Sequence, residues 1–195
     1  KAQWFIDVTV VRGVLWLVEF RVAAVVDAFS RSVIAIGVAE REPTAAWIGR
    51  LFQHAVRCAG QAPRHLVTDR GVQFTAKSFS ICLRRFGVRQ RFGAIGSPGS
   101  IALIERMWRS MKEEIGAAAF LLATPARAQL LVRRWGVWFN GHRPHQGLQG
   151  RTPDEARTGT RERIARRPTA LRYRLERGYV AGDPALPIYR LGKVA

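Results

Sequence analysis

The chain is expected to fold as an α/β domain: a five-stranded mixed sheet flanked by helices. Three strand-type segments follow one another with only short turns between them, so the sheet opens as an antiparallel meander. Two further short strands are each set off by a helix-type segment, the alternation of α/β folds. The strands are apolar on both faces, which calls for helices on both sides of the sheet.

The first strand is Trp4-Phe5-Ile6-Asp7-Val8-Thr9-Val10-Val11, rich in β-branched and aromatic residues; Arg12-Gly13 turns the chain into a long second strand over Leu15–Asp27. Val33–Ala39 is the third, after the turn residues Phe29-Ser30-Arg31-Ser32. Pro43-Thr44 opens a helix that runs to Ala59, its apolar residues Trp47, Leu51, Ala55 and Cys58 near helical spacing, and Gly60 ends it. His65–Thr68 is a short buried-type strand, Thr75–Phe86 a second helix with Gly87 behind it, and Val88–Phe92 a fifth strand. Gly93–Ser100 has the composition of a loop. Helices follow over Ile101–Phe120 and over Pro125–Asn140, the latter capped by Thr124, and Thr152-Pro153-Asp154-Glu155 starts a short one. Strands are expected around Leu171–Leu175 and Ile188–Leu191, within a basic C-terminal extension or small module over 158–195 that follows the 1–157 core.

Length and composition bound the function. A chain of 195 residues, 48% hydrophobic and 24% charged, buries a substantial core. Its 32 Lys and Arg against 14 Asp and Glu give a net charge of +18, a field that attracts polyanions, of which nucleic acid is the commonest. All but four of the cations are Arg, which fits bidentate phosphate contacts but also a simple compositional bias. No apolar run reaches the length of a membrane span, and no signal peptide is visible. Two cysteines, Cys58 and Cys82, are too few for a disulfide framework and read as reduced core residues of a cytosolic protein. The sequence begins with Lys and enters its first strand almost at once, as a fragment or an N-terminally trimmed form would.

Against this basic background three acids stand out. Asp7 interrupts an apolar strand, where an uncompensated carboxylate costs several kcal/mol. Asp69 stands at the C-terminal end of a strand, where sheet proteins place ligands. Glu105, separated from Asp69 by 35 intervening residues, lies on a helix with Arg109 and Lys112 on the same face and Ile104, Trp108, Met111 and Ile115 as the apolar stripe behind. Three carboxylates suit a hard divalent cation, and two such ions can drive an in-line displacement at phosphorus. Taken singly, each acid has a plainer reading: a buried acid paired with an Arg, a turn residue, a solvated helix acid paired with Arg109.

The order of motifs carries a resemblance. Asp7-Val8-Thr9, Asp27-Ala28-Phe29-Ser30-Arg31, Asp69-Arg70-Gly71-Val72-Gln73-Phe74, Glu105-Arg106 with Lys112-Glu113-Glu114, Phe139-Asn140-Gly141-His142-Arg143-Pro144-His145-Gln146-Gly147-Leu148 and Thr152-Pro153 together resemble the integrase core of insertion-sequence transposases and retroviral integrases, over about the first 157 residues. The resemblance implies a ribonuclease-H-like fold. It implies Asp7, Asp69 and Glu105 as the metal-binding triad, with two Mg²⁺ or Mn²⁺ ions when DNA is bound. Donor-end cleavage by water and strand transfer by a DNA 3′-hydroxyl would follow, without a covalent enzyme intermediate. Arg109, Lys112, Arg70 and Arg106 would contact DNA, with Thr9 and Gln73 close by. Transposon ends and target DNA would be the partners, in a homodimer or larger assembly, in the cytoplasm with the nucleoid.

Two departures from the family pattern are visible: the loop before Glu105, Pro98-Gly99-Ser100-Ile101-Ala102-Leu103, lacks an expected Asn, and Arg70 stands where many relatives have Asn. Plainer roles are expected elsewhere. Asp27 and Arg31 form a structural turn pair, and His142, Arg143 and His145 pack the irregular C-terminal stretch onto the core. The tail arginines, among them Arg161, Arg163, Arg166, Arg167, Arg172 and Arg174, form either a phosphate-binding or a solvated surface. A catalytically silent DNA-binding or assembly protein derived from a transposase is the alternative, and a ribonuclease-H-type nuclease that never joins strands is a third reading.

Overall fold

The computed structural model describes residues 2–14, 17–93, 102–119, 121–159, 173–179 and 187–193. Its main sheet holds β1 (Gln3–Arg12), β2 (Glu19–Asp27), β3 (Val33–Ala39), β4 (His65–Thr68) and β5 (Arg89–Phe92), in the spatial order β3-β2-β1-β4-β5. The first three pair antiparallel, while β4 runs parallel to β1 and β5 parallel to β4. This is the five-stranded mixed sheet expected from the sequence.

Both faces are covered, because the period-2 alternation along each strand feeds two separate cores. Phe5 and Val11 of β1, with Phe20, Val22, Ala24 and Val26 of β2, pack under α4 (Ala102–Ala119) and α5 (Pro125–Gly141). Trp4 and Ile6, with Ala23 and Val25, pack under α1 (Ala45–Ala59) and α3 (Lys77–Arg85). Asp7 has the parity of Phe5 and so belongs to the α4 face. Helix α1 is capped as the sequence predicts: Thr44 accepts from the Trp47 amide at 3.2 Å, and Gly60 closes the other end in the left-handed region.

The edge strand β3 presents backbone groups that no strand pairs. Helix α5 supplies their partners: Asn140 accepts from the Val33 amide at 2.8 Å and donates to its carbonyl at 2.9 Å, and Gln129 accepts from the Val38 amide at 2.8 Å. Two polar side chains of one helix thus close an edge that would otherwise recruit another chain.

Three expectations need correction. The second strand begins at Glu19, not Leu15, because the amides of Gly13 and Val14 turn to the carbonyls of Val18 at 2.7 Å and Leu122 at 2.8 Å. A Cβ on Gly13 would lie 2.3 Å from the Leu122 carbonyl oxygen, so this crossing needs glycine. The helix expected over Thr75–Phe86 is α3, which starts two residues later, and a separate short helix, α2 (Val72–Thr75), precedes it across Ala76 in an extended conformation. Phe74 and Phe79 explain the break. Five positions apart on one helix they would diverge by about 140°, whereas here both are fully buried in the same core with rings edge to face at 5.9 Å. Finally, Cys58 is exposed and not a core residue, while Cys82 is half-buried and packs against the core under α1 and α3.

After α5 come a short 3-10 turn, Gln146–Leu148, and α6 (Pro153–Thr158), whose Thr152 and Glu155 form a reciprocal capping box. Beyond it β6 (Tyr173–Tyr179) and β7 (Pro187–Lys193) pair antiparallel, close to where strands are expected. Arg161, Arg163, Arg166, Arg167 and Arg172, and the loop over 94–101, lie outside the described residues. No described helix is long and apolar enough to cross a membrane.

Candidate active site

Asp7 lies in the central strand and is half-buried. Its Oδ2 accepts a 2.9 Å hydrogen bond from the indole Nε1 of Trp108, a buried residue of α4. Burial pushes its carboxyl above the ordinary value of 3.8; the amide of Val8 and the Trp108 indole oppose that rise, and the charges of Asp69 and Glu105 add to it.

Sheet register explains the first approach. β1 and β4 pair in parallel through Phe5 and Val67, and the same register carried two residues on sets Asp7 beside Asp69. Asp69 is exposed, one residue past the end of β4, and its Oδ1 accepts from the Gly71 amide at 2.9 Å. That turn is braced from below: Gln90 donates to the Thr68 hydroxyl at 3.1 Å and to the Phe74 carbonyl at 2.9 Å. Gln73 lies directly over Gly71, where an added Cβ would meet its side-chain nitrogen at 2.7 Å. Glu105 is exposed in the first turn of α4, where the helix dipole favours an anion. Trp108, one turn on, ties that helix to Asp7.

The three acids therefore share one face and one end of the sheet. Among the described residues, however, no group of three or more His, Cys, Asp or Glu side chains stands close enough to hold an ion as placed. Like-charged carboxylates without a counter-ion repel one another. Their donor chemistry, all oxygen and all anionic, fits a hard divalent cation.

The four candidate DNA contacts divide. Arg109 and Lys112 are exposed on the Glu105 side of α4. Arg70 is exposed next to Asp69, with its guanidinium 5.4 Å from the centre of the Phe92 ring. Arg106 instead lines a cavity of about 430 Å³ on the other flank of α4, together with Ser110, Arg143, His145 and Arg31. Thr9, on the Asp7 face of β1, is half-buried.

The stretch after α5 is held by a network that sequence reasoning did not find. Glu114, whose side chain is 7% exposed, accepts from Arg143 Nε at 2.6 Å and from Trp135 Nε1 at 2.7 Å, and Arg143 also donates to Ser110 Oγ at 3.2 Å. His145 packs edge-on against Phe139 at 4.6 Å. This matches the packing role expected for Arg143 and His145, whereas His142 is exposed. Asp27 makes a tight turn, accepting from the Ser30 amide at 2.8 Å and hydroxyl at 2.7 Å. The Arg31 amide donates to the Asp27 carbonyl, but no ion pair joins the two side chains among the described residues, and Arg31 reaches the cavity beside Arg143 instead.

Two family models, both described as integrase core domain, match residues 1–98 and 86–153. A putative transposase for insertion sequence element IS986/IS6110 of Mycobacterium tuberculosis is 30% identical over 150 residues, covering 73% of this chain and 52% of the relative. The transposase for insertion sequence element IS904 of Lactococcus lactis is 24% identical over 156 residues, covering 78% of this chain and 59% of the relative. The chain thus spans little more than half the length of these relatives. Among solved structures, the HTLV-2 integrase catalytic core domain in complex with magnesium superposes with a TM-score of 0.62 at 18% identity, covering 79% of this chain and 94% of that one. The catalytic core domain of BIV integrase superposes with a TM-score of 0.59 at 20% identity, covering 78% and 91%. With the ribonuclease-H-like sheet of these cores and family models that together span residues 1–153, this chain belongs to the integrase core domain family.

Proposed function

We propose that the chain is the catalytic core of a DNA transposase, a polynucleotidyl transferase that cuts and joins phosphodiester bonds at a divalent-metal site made by Asp7, Asp69 and Glu105. The observation that carries this reading is the placement of Asp7, half-buried on the central strand under Trp108, with the β1–β4 register directing Asp69 to the same strand end. A half-buried carboxylate with two further acids acting on it is a costly arrangement for a fold to keep, and a shared cation offsets that cost. Magnesium or manganese, as two ions once DNA is bound, would supply charge neutralisation at the phosphate and activation of the attacking oxygen.

The chain's own residues do the positioning. Trp108 and the Val8 amide fix Asp7, the Gly71 amide orients Asp69, and α4 carries Glu105 on the ridge with Arg109 and Lys112. These two cations, with Arg70 beside Asp69, are suited to grip the phosphate backbone next to the acids. Transposon ends and target DNA are the proposed partners, in a dimer or larger assembly, and the cytoplasm with its nucleoid is the proposed location.

Asp69→Asn tests the reading, because an amide keeps the bond to Gly71 but surrenders the charge. With a preprocessed end oligonucleotide and a plasmid target, the variant is expected to lose Mg²⁺- and Mn²⁺-dependent strand transfer while its circular dichroism and melting stay native. Full retained activity would refute the assignment, and activity that cleaves but never joins would favour a nuclease.

A further inference from the structure

Helix α4 has two flanks, and only one faces the carboxylates. At about 100° per residue, Arg109 and Lys112 stay within about 40° of Glu105, whereas Arg106 and Ser110 project about 100° and 140° round from it. On that second side lies the 430 Å³ cavity, walled by α4, the end of α5 and the turn after it, and within the size range of ligand pockets, roughly 300–1,000 Å³. Three guanidinium groups line it, those of Arg31, Arg106 and Arg143.

Their partners are unequal. Arg143 is neutralised by Glu114, with its Nη2 on Ser110 Oγ. Arg31 and Arg106 have no carboxylate within ion-pair distance among the described residues, and the buried Nε of Arg31 has no hydrogen-bond partner there. His145 Nε2, also buried in this wall, has none either. A buried donor left unmade costs about 1–3 kcal/mol. Gly147 also lines the space, its Cβ position 3.7 Å from Arg31 Nη2.

We infer that this cavity is an anion site that takes a backbone phosphate of duplex DNA, with Arg31 and Arg106 as its ligands and Ser110 and Arg143 as a pre-set rim. It gives α4 a grip on DNA at its second flank, separate from the grip beside the acids. The local field agrees with this charge pattern, since burial, Arg143 and Arg31 push the His145 imidazole down to about 4. The inference rests on the proposed DNA-joining role, but its measurement does not use catalysis.

The test is duplex binding by the whole chain in EDTA, followed by fluorescence anisotropy over a salt series. Arg106→Gln and Arg31→Gln are compared with Arg50→Gln, an exposed change of equal charge on α1. Each cavity variant is expected to lower the slope of log K against log salt by about 0.9, the value for one phosphate contact, with Arg50→Gln leaving it unchanged. In the wild type, duplex should also move the NMR titration of His145 upward, and that shift should be absent in Arg106→Gln. Slopes for both variants equal to that of Arg50→Gln overturn the site. So does a His145 shift produced by millimolar inorganic phosphate but not by duplex, which would make the cavity a free-anion pocket. Duplex binding that is absent altogether would sink the transposase reading as well; binding with unchanged slopes sinks the cavity alone.

Discussion

Glu114→Ala is the substitution whose cost can be worked most directly. Glu114 is almost fully enclosed and answers two donors at once, Trp135 Nε1 at 2.7 Å and Arg143 Nε at 2.6 Å. Removing it leaves the indole N–H of a fully buried tryptophan without that acceptor, which costs about 1–3 kcal/mol. It also unpairs Arg143. Breaking a buried ion pair costs roughly 3–5 kcal/mol, but the Arg143 side chain is 26% exposed and can recover water, so its share falls below that range. Because the two costs share one carboxylate they overlap, and about 3 kcal/mol in all is the expected loss. For a chain of this length each kcal/mol moves the melting point by roughly 2–4 °C, so a fall of about 6–12 °C should accompany it. Urea unfolding with an unchanged m-value is the assay, with Glu113→Ala, an exposed neighbour expected to stay within about 0.5 kcal/mol of wild type, as control. Glu114→Gln should fall between, since an amide oxygen can serve only one of the two donors. A Glu114→Ala variant no less stable than Glu113→Ala would show that the network contributes nothing.

Two further substitutions probe the site and the sheet edge. Because Asp7 has a raised carboxyl pKa, the native state keeps its proton to a higher pH than the unfolded chain does. Stability therefore falls as pH rises from the ordinary value of 3.8 through the folded-state value, and ionised Asp7 is a net cost at neutral pH. Asp7→Asn, which can still accept from Trp108, should melt higher than wild type at pH 7 without divalent cation and lose that advantage below about pH 4; a lower melting point at pH 7 would contradict the electrostatic account. Asn140→Ala strips two hydrogen bonds from Val33 at the sheet edge and should cost about 2 kcal/mol by urea unfolding; a change under about 0.5 kcal/mol would show that water replaces the amide.

Much of this was legible in the sequence, for physical reasons that differ from element to element. A carboxylate inside an apolar strand is conspicuous, so Asp7 could be singled out before any coordinates. The 104, 108, 111, 115 periodicity correctly announced the buried stripe of α4. What it could not announce is that Trp108 is also a donor, because hydrophobic patterning registers the ring and ignores its N–H. The break at Ala76 was equally hidden: no Gly or Pro marks it, and only the tertiary demand that Phe74 and Phe79 reach one core produces it. Leu15–Val18 has strand composition, yet β2 starts only at Glu19, since the amides of Gly13 and Val14 bond to the carbonyls of Val18 and Leu122 instead. The pairing of Glu114 with Arg143, 29 residues apart, has no local signature at all.

The three acids also differ in how firmly they are held, and that difference bears on how a cation would engage them. Asp7 is fixed twice, by its ladder position opposite Ala24 and by the Trp108 indole. Asp69 is fixed once, through Gly71, on a turn that has just left the sheet. Glu105 has no hydrogen-bond partner among the described residues and extends from the first turn of α4 into solvent. An arrangement with one anchored, one hinged and one free ligand tolerates mutual repulsion, because the charges that can separate do so. In the proposed site, Asp7 would set where a cation binds, and the exposed side chains of Asp69 and Glu105 would be the ones free to reach it. Open spacing suits the proposed site, whose ligands would all be anions, and Trp108, by tying the Glu105 helix to Asp7, limits how far they can drift apart.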